Sequence, residues 1–143
     1  KGEIPAKMLD ALYNKRLLLI GESHGTNEAP AFTLDLIKAL AKNGPVSVGL
    51  EFPKDLTPHV RQFIQTGDRA ILYRLPFFRE RDLHSGRGSQ AMTEMLKKLK
   101  GIPNLKVFCF DLPTNFKLKP GTARDTVMAG IVLEEMKEFQ KPM

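Results

Sequence analysis

The sequence predicts an α/β fold, with a mainly parallel sheet and helices on both of its faces. Three short apolar runs, at residues 16–21, 46–51 and 106–111, suit strands that are buried on both sides. Amphipathic helical stripes lie between them, so strand and helix alternate along the chain. This alternation implies a mainly parallel sheet with right-handed crossovers. With 143 residues, the chain suits one domain with its own core, which we assign to residues 1–143.

The first half contains two of these strands. A short leading helix is predicted over about residues 5–13, followed by the strand 16–21, which has four consecutive apolar residues. Asn27 is a good N-cap for the next helix, and Glu28 in its first turn suits the helix dipole. The strand 46–51 comes next.

The second half continues the alternation and ends in a helix. The predicted elements are a helix over 57–65, a short helix over 68–75, a polar loop over 76–88, a helix capped by Ser89, the strand 106–111, and a last helix opened by the capping-box pattern at 122–125 with Thr122 as its cap.

Composition excludes several classes of protein. The net charge is +6, but the basic residues are scattered and no aromatic-rich basic motif is present, so we predict a small-molecule substrate and no nucleic acid partner. No apolar run is long enough for a transmembrane segment. The single cysteine, Cys109, excludes an internal disulfide and a cysteine-rich zinc site, and its apolar neighbours predict a buried, inert thiol. A homo-oligomer is left open, and an extracytoplasmic location (periplasmic or secreted) is slightly favoured over a cytoplasmic one.

Acidic and imidazole side chains follow the predicted strands. The first strand runs into Glu22 and His24, the second ends in Glu51, and the third ends in Asp111. In a parallel sheet these ends share one edge, which is where open α/β folds bind their ligands. We therefore expect three carboxylates and one imidazole to converge there.

Ser23 lies in Gly21-Glu22-Ser23-His24-Gly25, which fits the G-x-S-x-G pattern of serine hydrolases. A nucleophile elbow needs a helix that begins almost at the serine, whereas the helix signal here begins near Asn27. The elbow also needs an acid and then a histidine downstream, and this order is missing. We therefore predict that Ser23 forms hydrogen bonds in a turn. His24 is the better candidate, as a base that takes a proton from water.

Three motifs carry a resemblance to a known superfamily. They are Gly21-Glu22-x-His24-Gly25-Thr26-x-Glu28, Gly49-Leu50-Glu51 and Arg124-Asp125-x-x-Met128-Ala129. In this order and spacing they resemble the erythromycin esterase and ChaN-like superfamily, to which the TraB and Tiki proteins are related.

The resemblance implies a hydrolase that opens an ester or a lactone with a histidine-activated water and needs no cofactor. Glu22 and His24 match the acid and the water-activating histidine, Glu51 matches the acid after the second strand, and Arg124 with Asp125 matches a later pair. Either Arg124 or Arg87 is a candidate for stabilising the oxyanion. The candidate catalytic residues are Glu22, His24, Glu51 and Arg124, and the candidate substrate-binding residues are Glu28, Arg87, Asp111 and Asp125.

The same resemblance leaves two alternatives. In a metal-dependent hydrolase of the TraB and Tiki type, Glu22, His24, Glu51 and Asp111 would be the donors, although one histidine without a thiolate is a poor zinc set. In a haem-binding protein of the ChaN type, His24, His84 or a methionine would be the axial ligand. We assign no metal ligand.

The end of the sequence departs from the superfamily pattern, which expects a further strand that carries a second histidine. The chain stops at Lys141-Pro142-Met143, where that strand would begin. We therefore expect an incomplete piece of a larger domain, with an exposed sheet edge or an apolar groove near Lys141.

Overall fold

The computed structural model describes residues 3–80 and 86–139. Helices and a parallel sheet alternate in it, which confirms the α/β class. The elements are α1 (Ala6–Tyr13), α2 (Glu28–Ala41), β1 (Val46–Pro53), a 3-10 turn (Lys54–Leu56), α3 (Thr57–Thr66), α4 (Arg69–Tyr73), α5 (Pro76–Arg79), α6 (Gln90–Lys98), β2 (Leu105–Asp111) and α7 (Arg124–Phe139).

The sheet of the described residues consists of β1 and β2, which pair in parallel. Val46 lies opposite Leu105, and Leu50 lies opposite Cys109. This register brings the carboxyl ends of both strands to one edge of the sheet, as the sequence predicts.

The two faces of β2 differ in what covers them. Val107 and Cys109 belong to the main core, which α2, α3 and α6 also supply. Phe108 points to the other face, where α7 packs against β2. The prediction for Cys109 is confirmed: the residue is buried, and its burial raises the pKa of the thiol to about 12, although Thr57 bonds to it. The thiol is therefore protonated and inert at neutral pH.

Three aromatic rings fill the core below the carboxyl edge of the sheet. The ring centroids of Phe52, Phe77 and Phe78 are 5.2 to 5.3 Å apart in tilted and edge-on contacts. Phe77 and Phe78 belong to α5, within the segment predicted as a polar loop. That prediction is wrong for residues 76–79, because Pro76 starts a helical turn and burial of the two rings stabilises it. Residues 81–85 of the predicted loop lie outside the described residues.

The predicted strand 16–21 is also wrong, because the segment has no regular structure. Most of its side chains are exposed, with Leu17 at 47%, Leu19 at 86% and Ile20 at 46%, whereas Leu18 is half-buried. An extended segment becomes a strand only where another backbone pairs with it. In the described structure β1 pairs with β2 and not with this segment.

Helix starts agree with the sequence in part. Ser89 accepts a hydrogen bond from the Met92 amide and caps α6, as predicted. Asn27 precedes α2, but its side chain makes no capping bond. The last helix begins at Arg124, so its N-cap position falls one residue after the predicted cap, Thr122.

An apolar groove of about 1020 Å³ separates the segment 16–21 from β1. Its walls include Leu40, Val48 and Phe110, and Phe139 at the end of α7 lies at its border. Lys141, where such a groove was expected, lies outside the described residues. The idea that the chain is a piece of a larger domain stays a prediction. Within the described residues, every helix is too short or too polar to cross a membrane.

The aromatic core gives a direct test of this packing. Phe78 is fully buried, so Phe78→Ala is expected to lower the free energy of unfolding by about 3–5 kcal/mol, through lost burial and the cavity left behind. The matched control is Phe116→Ala, because Phe116 is 47% exposed and its loss is expected to cost less than about 1 kcal/mol. Urea unfolding of both variants measures the difference, and equal losses would contradict the assigned core.

Candidate functional site

A tight turn after the segment 16–21 carries the first two site residues. Gly25 has a left-handed backbone (φ +85°), and the Thr26 hydroxyl donates a hydrogen bond to the Ser23 carbonyl. The turn holds the ring of His24 between two carboxylates. Its Nδ1 lies 3.2 Å from Oε1 of Glu22, and its Nε2 lies 3.5 Å from Oε2 of Glu51. The sequence-predicted trio of Glu22, His24 and Glu51 is therefore brought together.

Arg124 joins the two strand-end carboxylates. Its Nη2 donates to Oε1 of Glu51 at 2.8 Å and to Oδ2 of Asp111 at 2.8 Å, and its Nε donates to Oδ1 of Asp111 at 3.0 Å. This two-pronged contact with Asp111 has the geometry in which a guanidinium binds a carboxylate most strongly. A residue at the start of α7 thereby fixes the ends of both strands.

Arg87 enters the same cluster from the other side. Its Nη1 donates to Oδ2 of Asp111 at 2.5 Å and to the Glu51 carbonyl at 3.4 Å, and it lies 3.6 Å from Oε1 of Glu51. The guanidinium also lies 5.5 Å from the ring centroid of Phe77. The aromatic core therefore supports one wall of the site.

Asp111 is the buried anion of the cluster. Burial alone would raise the pKa of its carboxyl, but the bonds from Arg124, from the Leu112 amide and from Arg87 outweigh it and hold this pKa below its usual range. The same pairing raises the pKa of Arg124. Asp111 is therefore ionised throughout the neutral range.

The formal charges of the cluster do not cancel. Glu22, Glu51 and Asp111 contribute three negative charges, whereas Arg87 and Arg124 contribute two positive ones. Among these five side chains one negative charge is left over, and Glu22 and Glu51 are the two carboxylates that lie beside His24.

The other candidates lie outside this network. Glu28 and Asp125 are exposed in the first turns of α2 and α7, and among the described residues neither bonds to the cluster. Ser23 is exposed, and α2 begins five residues after it, which agrees with the predicted late helix. His84 lies outside the described residues.

Gly86 is a site residue that sequence reasoning did not identify. Its backbone is left-handed (φ +77°), and a Cβ built on it would lie 2.8 Å from the Gly25 amide nitrogen and 2.9 Å from the Gly25 Cα. The loop before Arg87 thus packs directly on the turn that holds His24. The only sequence signal was a glycine beside an arginine, which does not by itself reveal a long-range contact.

No group of three or more His, Cys, Asp or Glu side chains in the described part of the chain is arranged to hold a metal ion. The contacts explain this, because oxygens of Glu51 and Asp111 already face Arg124 and Arg87.

No family model, curated protein or solved structure matches the chain. The functional interpretation therefore depends on the geometry of the cluster.

Substitution of Gly86 tests the close contact with the His24 turn. Gly86→Ala is expected to cost about 1–2 kcal/mol for its left-handed backbone and a further penalty for the clash with Gly25. Gly121→Ala is the matched control, because Gly121 has a similar φ of +82° and open space around its Cβ. Chemical unfolding should give a clearly larger loss for Gly86→Ala. Equal losses would show that the two loops do not touch.

Removal of the Asp111 charge tests the ion-pair network. Asp111→Asn is expected to lower the free energy of unfolding at pH 7 by about 2–4 kcal/mol, because two guanidiniums lose their buried partner. The folded pKa of Asp111 is lowered, so its stabilisation is complete above the ordinary value of 3.8 and is lost as the pH falls through the folded value. The gap between wild type and variant should therefore close in acid.

Urea titrations at a series of pH values measure this gap. Asp10→Asn, at an exposed position of α1, is the control and should leave stability unchanged within about 0.5 kcal/mol. A gap that stays constant down to acid pH would contradict the role given to the Asp111 charge.

Proposed function

We propose that this protein is a hydrolase in which His24 activates a water molecule to open an ester or a lactone. The observation that carries the proposal is the imidazole of His24, held between the carboxylates of Glu22 and Glu51. The resemblance of the Gly21–Glu28 motif to the erythromycin esterase superfamily adds the reaction type. The substrate is then a small molecule with an activated carbonyl.

The ring orientation suits a base. When Nδ1–H of His24 donates to Glu22, the lone pair of Nε2 is available for a proton. This nitrogen lies 3.5 Å from Oε2 of Glu51, so a proton that arrives on Nε2 is stabilised by a neighbouring carboxylate. Arg124 binds the other oxygen of Glu51, which keeps Oε2 directed toward the imidazole.

The proposed reaction is hydrolysis of the single bond between the carbonyl carbon and the leaving oxygen. His24 Nε2 takes a proton from water while the water oxygen attacks the carbonyl carbon. The tetrahedral intermediate collapses, the bond to the leaving alkoxide breaks, and the alkoxide takes the proton back from the imidazolium. The products are an acid and an alcohol, and no bond to the enzyme forms. Ser23 therefore has no covalent role.

Arg124 is the candidate for stabilising the oxyanion. Its side chain is 42% exposed, and its contacts with the described residues use Nε and Nη2. Its Nη1 makes none of these bonds, so this nitrogen is a donor that can turn toward a substrate oxygen. Arg87 is less suited, because its side chain is only 17% exposed and it is held against Asp111.

Neither alternative gains comparable support. A metal-dependent reaction needs a set of donors, and the carboxylates of Glu51 and Asp111 face guanidiniums instead. Haem would need an axial ligand, and both ring nitrogens of His24 face carboxylates, so His24 does not suit that role. Haem binding stays a prediction of the resemblance alone.

The test compares two neighbouring residues in one turn. With p-nitrophenyl acetate and a small lactone as substrates, His24→Ala is expected to lower kcat/KM by about 10²- to 10⁴-fold, because the general base is lost. Ser23→Ala should retain activity within about threefold, because the Ser23 side chain is exposed and the bond in the turn uses its backbone carbonyl. A chelator should leave the wild-type rate unchanged.

Circular dichroism and thermal unfolding establish that both variants are folded. A fluorophosphonate adduct on Ser23 would overturn the assignment of the base. So would a folded His24→Ala variant with full activity, or a folded wild-type protein that hydrolyses neither substrate.

A further inference from the structure

The two outer edges of the sheet differ in whether side chains bond to their backbone. Along β2, Thr57 accepts a hydrogen bond from the Cys109 amide, and Arg61 donates one to the Val107 carbonyl at 2.7 Å. Side chains of α3 thus bond to two backbone groups on the outer edge of β2 and cover that edge. Along β1, by contrast, no side chain of the described residues bonds to the backbone of residues 46–50. The sheet therefore has one capped edge and one open edge.

The open edge borders the apolar groove. Across the groove lies the segment 16–21, in which Leu17 and Leu19 are exposed and Leu18 is half-buried. Its backbone pairs with no strand of the described residues. The groove has a volume of about 1020 Å³, and Glu22, His24, Glu51 and Arg87 of the candidate site also line it. Ser47 on β1 lines the groove, and its buried hydroxyl has no partner among the described residues. A polypeptide backbone would supply the missing hydrogen bonds, whereas an alkyl chain would not.

We propose that this groove is a dimer interface, in which the segment 16–21 of a second copy inserts as a β-strand against β1. The segment has the composition that the groove requires, since Leu17, Leu18, Leu19 and Ile20 are all apolar. Leu19 is 86% exposed in the single chain, and burial of such a side chain is a strong driving force for association.

The segment is complementary to itself in antiparallel pairing. With Leu18 opposite Leu19 at the centre, Leu17 faces Ile20. The next pairs outward are Arg16 opposite Gly21 and then Lys15 of one copy opposite Glu22 of the other. Opposite charges directly across two strands stabilise the pair, and like charges destabilise it. The sequence KRLLLIGE therefore specifies its own register.

Two-fold symmetry makes the arrangement closed. Each inserted segment pairs with β1 of the other copy on one side and with its counterpart on the other side. The order across the dimer is then β2, β1, segment, segment, β1, β2, and the capped edges of β2 lie at both ends. No strand of the described residues then keeps an uncovered edge.

The test uses the full chain and its state of association. Sedimentation velocity over a range of micromolar concentrations is expected to reveal a dimer. Leu19→Lys should raise the dissociation constant by at least roughly 100-fold, because it buries a charge at the centre of the new sheet. Leu133→Lys is the matched control, since Leu133 is also exposed (56%), lies on α7 away from the groove, and should leave the dimer intact.

A charge exchange tests the register even if Leu19→Lys fails to fold. Lys15→Glu alone and Glu22→Lys alone should each weaken the dimer, because like charges then face each other at both ends. An equimolar mixture of the two variants should associate as a heterodimer, measured by native mass spectrometry with one variant labelled with ¹⁵N. These readouts do not depend on hydrolysis, so they are independent of the proposed function.

A wild-type chain that stays monomeric at all concentrations would overturn the proposal. Protection of the Leu17–Ile20 amides in such a monomer would indicate that the segment pairs with β1 of its own chain. A dimer that survives both Leu19→Lys and the single charge changes would also overturn it.

Discussion

The carboxylate of Asp111 is the group around which the site is assembled. It is buried at the end of β2, where an uncompensated charge would cost several kcal/mol, so the chain has to supply cations at that point. Arg124 comes from the start of α7 and Arg87 from the loop before α6. Because each arginine also contacts Glu51, compensation of one buried anion fixes the position of a second one on the neighbouring strand. The need to compensate the buried charge of Asp111 thus also positions the Glu51 carboxylate that faces His24.

The same constraint separates the roles of the three acids. Asp111 makes the larger number of bonds to guanidinium groups and is the less exposed, so it is a structural anchor and not a group that exchanges protons. Glu51 is bound through Oε1 and presents Oε2 to the imidazole, while Glu22 contacts the opposite ring nitrogen. A substitution of Glu51 would therefore disturb two partners at once, and its effect on activity could not be separated from its effect on the ion pairs.

Local patterns in the sequence predicted what local interactions decide. The strand β2, the Ser89 cap and the burial of Cys109 follow from apolar runs and capping chemistry, and strand polarity then predicts that Glu51 and Asp111 share an edge. The ion pairs could not be derived this way, because Arg87 and Gly86 are far from their partners in sequence and sit beside an unremarkable loop. The helix α5 was missed because burial of Phe77 and Phe78, and not helix propensity, stabilises its single turn.

The segment 16–21 is the most instructive difference between sequence and structure. Its composition is that of a strand buried on both faces, and within the described chain there is no strand beside it. A β-strand forms only when its backbone is hydrogen-bonded to a neighbouring strand. The composition of a segment can therefore indicate that it favours a strand, but it does not show whether a neighbouring strand is present. The exposed apolar side chains of the segment lack a surface to pack on, and the edge of β1 lacks a neighbouring strand. The turn of Glu22 and His24 follows this segment directly along the chain. Association and chemistry are therefore expected to share one structural element.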